Sequence, residues 1–113
     1  MIIGVGIDVV QVSRIRKAMQ NPRFLERILT PDEMKLELTP LRVASRWAAK
    51  EAIYKAIGGR ITWQNLSILN DVTRAPMIVW TGISPLKPGQ KMHLSLSHEQ
   101  SVAVATAILE SLD

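Results

Sequence analysis

The sequence predicts an α+β fold in a single domain, residues 1–113, with a mainly antiparallel sheet packed against a long central helix and shorter N-terminal helices. Three observations predict it. A short apolar run interrupted only by glycine opens the chain. A helical pattern then runs from Pro40 to Ile57 between a proline start and a glycine stop, and the second half alternates apolar and polar residues between turn-forming segments. A chain of 113 residues holds one real core and not two.

Met1 to Ile7 reads as a buried strand, too short for a helix, and it ends in Gly6-Ile7-Asp8. Val12, Ile15 and Met19 recur at helical spacing with Arg14, Arg16 and Lys17 on the flanks, which describes an amphipathic helix with a basic exposed side. Asn21-Pro22 is an N-cap followed by proline at the first helical position, and it opens a helix in which Phe24 and Ile28 stack. Thr30-Pro31-Asp32-Glu33 repeats the signal as a capping box, with Glu33 able to reach back to the backbone of the cap residue. Thr39-Pro40 starts the central helix, which can run to Ile57 before Gly58-Gly59 closes it.

On that helix Val43, Trp47 and Tyr54 form an apolar face, Ala44, Ala48 and Ala52 a small-residue face, and Glu51 lies between the two. Arg46 and Lys50 project together and have the chemistry to grip phosphate oxygens. The plain alternative is that Glu51 pairs with Lys55 at i+4 and all four charges are structural. Beyond the helix, Leu66–Leu69 and Met77–Thr81 read as strands around the polar connection Asn70–Pro76. Pro85 and Pro88-Gly89 mark a loop. Met92, Leu94 and Leu96 alternate with His93, Ser95 and Ser97, so one face of that strand is core. His98 follows where the strand meets a turn, and Val102–Leu109 is apolar enough for a central strand.

Composition excludes several classes. With 47% hydrophobic and 21% charged residues the chain is a folded globular domain and not a disordered one. No apolar run reaches the roughly 18–20 residues that span a bilayer, and the N-terminus lacks the features of a signal peptide, so a cytosolic location with no membrane partner is expected. There is no cysteine, which rules out disulfides, thiolate metal sites and cysteine nucleophiles; any metal is held by oxygen or imidazole. The net charge of +4 suggests an acidic partner. Arg14, Arg16, Lys17, Arg23 and Arg27 share their segment with a single acid, Glu26, whereas Glu99 to Asp113 carries only acids. A solvated helix face is the plain reading of the basic cluster, as a cap or surface role is for His98.

Five motifs occur in order along nearly the whole chain. They are Gly6-Ile7-Asp8, Arg14-Ile15, Phe24-Leu25-Glu26-Arg27-Ile28-Leu29-Thr30, Arg46-Trp47-Ala48-Ala49-Lys50-Glu51-Ala52 and Leu94-Ser95-Leu96-Ser97-His98. In this arrangement the sequence resembles the holo-(acyl carrier protein) synthases, the small bacterial type of 4′-phosphopantetheinyl transferase. It departs from their pattern at Trp47, where phenylalanine is usual, in a short Thr30–Arg46 connection, at Arg74-Ala75-Pro76 in place of a glycine-lysine-proline turn, and at Glu99 after His98.

The resemblance implies transfer of the phosphopantetheine arm of coenzyme A to a serine of apo acyl carrier protein, in fatty acid biosynthesis, with release of adenosine 3′,5′-bisphosphate. It implies magnesium held by Asp8 and Glu51, which also act catalytically with Lys50. Arg46, Lys50, Lys55 and His98 would contact the phosphates or adenosine of coenzyme A. Arg14 would be the main contact to the acidic carrier protein, with Arg16, Lys17 and Arg23 steering and Met19 and Phe24 adding apolar contact. No binding role is carried over to Arg74. Either Glu51, Asp8 or a water on the metal fits as acceptor of the serine proton. Similar proteins are homotrimers with each site at a junction between subunits.

The rival class is a non-catalytic basic module binding RNA or acidic proteins. One phenylalanine and one tyrosine, with no aromatic-rich strand motif, give little to stack bases on, so no nucleic-acid partner is expected. An adaptor for acidic proteins would keep the basic helix and be indifferent to Asp8 and Glu51.

Overall fold

The computed structural model describes residues 1–112; Asp113, the last acid of the C-terminal run, lies outside the described residues. The order of elements is β1 (Ile2–Gln11), α1 (Val12–Ala18), α2 (Pro22–Ile28), α3 (Pro31–Met34) and α4 (Pro40–Ile57), followed by a 3₁₀ turn (Trp63–Asn65). Then come β2 (Leu66–Asn70), β3 (Pro76–Trp80), β4 (Gln90–His98) and β5 (Val102–Ser111). The α+β expectation holds, and both sheets are antiparallel: β1-β5-β4, and the hairpin β2-β3. None of the described helices is long and apolar enough to cross a membrane.

The caps lie where the sequence puts them. Asn21 Oδ1 accepts from the Arg23 N–H, Thr30 and Glu33 complete a reciprocal capping box, and Thr39 Oγ1 accepts from the Arg42 N–H. Gly58 closes α4 at φ +86°, a left-handed conformation that glycine adopts without strain.

The core lies between α4 and the three-stranded sheet. Central β5 presents Ala103, Ala105, Ala107 and Leu109 to Ala44, Ala48, Ala52 and Ile53 of the helix. Small residues on both sides let the helix sit low over the sheet, lowest at β1. A β-carbon on Gly4 would lie 1.9 Å from the carbonyl oxygen of Ala56, and one on Gly6 would lie 1.9 Å from that of Ala52. Both glycines are therefore required by close backbone approach.

Strand β1 differs from expectation in two ways. It runs through Asp8 to Gln11, which puts Asp8 inside the strand, and it is buried on one face only. Ile3, Val5, Ile7 and Val9 point away from the helix and are 44–60% exposed. A strand of nearly continuous apolar residues reads as two-sided burial, and within one chain this sheet has a helix on one side alone.

Replacing Gly6 with alanine forces α4 off β1. Gly6→Ala is expected to cost about 1–3 kcal/mol or more in urea unfolding, at the upper end for a clash with backbone. An unchanged midpoint would contradict the packing described.

Candidate functional site

Residues 4, 6 and 8 of β1 point to the same side. After two positions without side chains, Asp8 is the first group on that face long enough to meet α4. Its Oδ1 lies 3.5 Å from Lys55 Nζ, and Lys55 also donates to the Ile7 carbonyl at 2.9 Å. Asp8 Oδ2 is buried and has no hydrogen-bond partner among the described residues. Glu51, one turn before Lys55, is half-buried, and its pKa is raised above the ordinary 4.5, first by burial and next by the negative charge of Asp8. Lys55 opposes that shift. The expected Asp8–Glu51 pair is thus in one electrostatic neighbourhood, and Lys55 pairs with Asp8 instead of forming the i+4 bridge to Glu51.

Two carboxylates that repel one another, one with an orphaned buried oxygen, suit a hard divalent cation. The unsatisfied oxygen alone costs about 1–3 kcal/mol, which a cation would recover. Among the described residues no third histidine or carboxylate joins them, so the remaining ligands would be water or substrate oxygen. Beside Glu51 lies a pocket of about 310 Å³ walled by Lys50, Tyr54, Ile61, Thr62 and Trp63.

The expectation of a phosphate grip at Lys50 does not match its surroundings. Lys50 is 1% exposed, and its ammonium donates to the Ile28 carbonyl at 2.7 Å, to Glu33 Oε1 at 2.6 Å and to the Trp63 carbonyl at 2.7 Å. All three N–H bonds are spent within the chain. Glu33, fully buried, also takes the Thr30 N–H on Oε1 and the Ile68 N–H on Oε2. Burial lowers the pKa of Lys50, and Glu33 holds it up. The pair ties the end of α2, the start of α3, α4, the 3₁₀ turn and β2 together, and it holds the backbone of Trp63 at the pocket wall. A stack of Phe24 on Trp47 and of Trp47 on Trp63, with centroids 5.8 and 4.7 Å apart, supports the same wall.

Arg46 diverges from Lys50. Its guanidinium donates to the Ile68 carbonyl at 3.1 Å and to Asn70 Oδ1 at 3.1 Å, and burial lowers its pKa. It lines an open cavity of about 900 Å³ with Arg42, Asn70, Arg74 and His98, the last residue of β4. Lys55 reaches from α4 to β1 and Arg46 from α4 to β2, so the expected coenzyme A contacts fall in two places within one chain. Arg14, Lys17, Phe24 and Arg27 line a shallow depression of about 720 Å³ between α1 and α2. Arg16 and Arg23 are exposed nearby, while Met19 and Phe24 are half-buried against the core.

Sequence reasoning missed the second half of Glu33. The capping box accounts for its bond to Thr30, but its partner Lys50 is far along the chain and no spacing rule connects them. Asn70, the last residue of β2, carries no motif that marks it as lining the cavity, and Arg74 was given no role because its turn departs from the pattern of the resemblance.

Two outcomes test this geometry. Glu33→Gln leaves the Lys50 charge buried and uncompensated and is expected to cost about 3–5 kcal/mol in denaturant unfolding, against a smaller loss for the double variant Glu33→Leu/Lys50→Met. A single variant within experimental error of wild type would contradict the pairing. Because the pKa of Glu51 is raised on folding, its contribution is fully present below the unfolded value and is lost as pH rises through the folded one. Metal-free Glu51→Gln should therefore gain thermal stability relative to wild type across that rise, and identical pH profiles would contradict the strained pair.

The family model of the ACPS type, the 4′-phosphopantetheinyl transferase superfamily, matches residues 4–107. The chain is 40% identical to a holo-[acyl-carrier-protein] synthase of Exiguobacterium sp., over 97% of this chain and 93% of that one. It is 42% identical to one of Streptococcus pyogenes, over 97% and 98%. Among solved structures it is similar to the Bacillus anthracis holo-(acyl-carrier-protein) synthase in complex with CoA (3′,5′-ADP), with a TM-score of 0.85 and 35% identity over 98% of each chain. It is also similar to the Helicobacter pylori synthase in complex with coenzyme A, with a TM-score of 0.79 and 28% identity over 94% of this chain and 99% of that one. With its fold and nearly its whole length matched, the chain belongs to the 4′-phosphopantetheinyl transferase superfamily, among the holo-(acyl carrier protein) synthases.

Proposed function

We propose that the chain transfers 4′-phosphopantetheine from coenzyme A to a serine of apo acyl carrier protein, as a magnesium-dependent enzyme of fatty acid biosynthesis. The observation that carries the reading is the Asp8–Glu51 pair with its orphaned buried oxygen. The serine oxygen bonds to the phosphorus bearing the pantetheine arm, the diphosphate P–O bond breaks, the serine proton leaves, and adenosine 3′,5′-bisphosphate departs with the bond electrons.

Asp8 and Glu51 would hold the magnesium, whose chemistry here is to neutralise charge on the diphosphate oxygens. Lys55, half exposed beside Asp8, is the cation best placed to meet a phosphoryl oxygen from the protein side. Lys50 acts one step back, as a positioning residue: with Glu33 it fixes the helix turn that carries Glu51 and the wall at Trp63. Glu51, Asp8 and a water on the metal each fit as the acceptor of the serine proton.

The basic depression at Arg14, Lys17 and Arg27 suits an acidic carrier protein, with Phe24 giving a partly exposed apolar contact. A homotrimer suits the uncovered sheet face. Ile3, Val5, Ile7 and Val9 form one continuous apolar row, of the kind soluble chains cover by association. Assembly there would also allow the cavity at Arg46 and His98 of one protomer to serve the carboxylates of a neighbour.

Incubation with apo acyl carrier protein, coenzyme A and magnesium should add one phosphopantetheine to the carrier by intact mass, and a chelator should abolish it. Asp8→Ala and Glu51→Ala should each lower turnover roughly 10²–10³-fold, the size of lost charge stabilisation at phosphorus. No transfer to several apo carriers by folded protein would refute the reading. Arg14→Glu should raise KM for carrier protein several-fold more than KM for coenzyme A, and equal effects would refute the docking assignment. Val5→Glu should break the assembly in sedimentation experiments, and an unchanged mass would refute the proposed interface.

A further inference from the structure

Helix α2 ends without a stop signal of its own. No glycine follows it, and its C-cap Leu29 is extended, at φ −112° and ψ 140°, where a left-handed residue would close the helix. The Leu29 N–H satisfies the Leu25 carbonyl at 2.9 Å, and the carbonyls beyond that are left open by the helix itself. Side chains from elsewhere take them. Gln64 Nε2 donates to the Glu26 carbonyl at 2.9 Å, to the Leu29 carbonyl at 2.7 Å and, more weakly, to the Arg27 carbonyl at 3.4 Å. Lys50 takes the Ile28 carbonyl. The neighbours of the Gln64 amide are all carbonyl oxygens, which only accept, so its nitrogen must face them.

Gln64 is itself held in place within the 3₁₀ turn. Its carbonyl accepts from Thr81 Oγ1 at 2.5 Å, the Asn65 carbonyl accepts from the Thr81 N–H at 2.8 Å, and Asn65 Oδ1 accepts from the Thr62 N–H at 2.7 Å. The residues just before it, Thr62 and Trp63, wall the pocket beside Glu51. The helix it caps carries Phe24 and Arg27, which line the basic depression with Arg14 and Lys17. At its other end α2 is tied to α1, where the Gln20 and Asn21 N–H groups bond to the carbonyls of Lys17 and Ala18. Lys50 joins α2 to the pocket wall from inside the core. Gln64 does so at the surface, on the carbonyls that flank Arg27.

We propose that Gln64 is a positioning residue for the carrier protein: by capping α2 from the pocket wall it fixes the docking face at Phe24 and Arg27 relative to the pocket, so that a docked carrier delivers its serine to the phosphorus. The assignment rests on the transferase reading and on its docking face. An exposed cap contributes little to folding, but misplacing a reacting group by about 1 Å costs on the order of 10²-fold in rate. Gln64 therefore matters more to turnover than to stability.

The test compares wild type with Gln64→Met, similar in length but without a donor, and with Gln64→Lys, which keeps N–H donors for the helix carbonyls. Circular dichroism checks that both fold. In Gln64→Met the KM for carrier protein should rise and kcat at saturating carrier should fall, each about tenfold, while affinity for coenzyme A stays within about twofold. That affinity is read by calorimetry without carrier, and it is preserved because Lys50 still holds the Trp63 carbonyl. Gln64→Lys should recover most of kcat, which at saturating carrier gains nothing from the added charge. Unchanged kcat and KM, or an equal loss of coenzyme A affinity, would overturn the assignment while leaving the transferase reading intact. A second arm needs no turnover: calorimetry with apo acyl carrier protein on wild type, Arg27→Ala, Gln64→Met and the double variant. Because Gln64 acts through α2, the two losses should add to less than their sum, and strictly additive losses would overturn the proposal. Coupled losses in a protein that transfers nothing would refute the transferase reading and leave the positioning of α2 standing.

Discussion

The close approach of α4 to β1 is the constraint on which the rest of the structure depends. Ala52 and Ala56 place their carbonyl oxygens where β-carbons of Gly6 and Gly4 would otherwise be. Two bare positions let the helix backbone settle on the strand, and the next residue on that face, Asp8, then meets the turn of helix that carries Glu51 and Lys55. Any larger residue at position 4 or 6 would lift the helix and separate the groups. The geometry of the carboxylates is therefore set by main-chain packing, which is stiff, and not by the rotamers of long side chains.

The opposite flank of α4 is held by charge. A fully buried Glu33–Lys50 pair is expensive to desolvate, and such pairs do little for net stability compared with apolar residues. Its value here is positional, because apart from the bond between them, the bonds of Lys50 and Glu33 end on backbone at Ile28, Trp63, Thr30 and Ile68. The Phe24–Trp47–Trp63 stack runs beside it and buries the aromatic surface that the short α2 and the 3₁₀ turn cannot cover alone. Glu51 thus lies on a helix fixed on one side by glycine packing and on the other by an ion pair.

Most of the fold was legible because its signals are local. Asn21-Pro22, Thr30 with Glu33, Thr39-Pro40 and Gly58 each act within a few residues, and each appears as a cap in the structure. Strand alternation gave β4 its two faces for the same reason. Asp8 and Glu51 could be paired through family resemblance, whereas the role of Lys50 could not be read from position. Its spacing from Arg46 suggests a common target, yet a partner on α3 draws it inward while β2 draws Arg46 elsewhere. The apolar run of β1 misled in a different way: one side meets a helix, while within this chain the other side stays exposed. Arg74 was given no role because Arg74-Ala75-Pro76 departs from the glycine-lysine-proline turn of the resemblance, and its place in a cavity depends on hairpin register.

The account turns on whether Asp8 and Glu51 together hold a divalent cation. Mn²⁺ binding, read by electron paramagnetic resonance in the presence of coenzyme A without carrier protein, addresses this directly in the wild type, Asp8→Asn and Glu51→Gln. The account predicts one bound ion per chain in the wild type and its loss on either substitution. An ion retained by both variants, or no protein-dependent binding in the wild type, would contradict it.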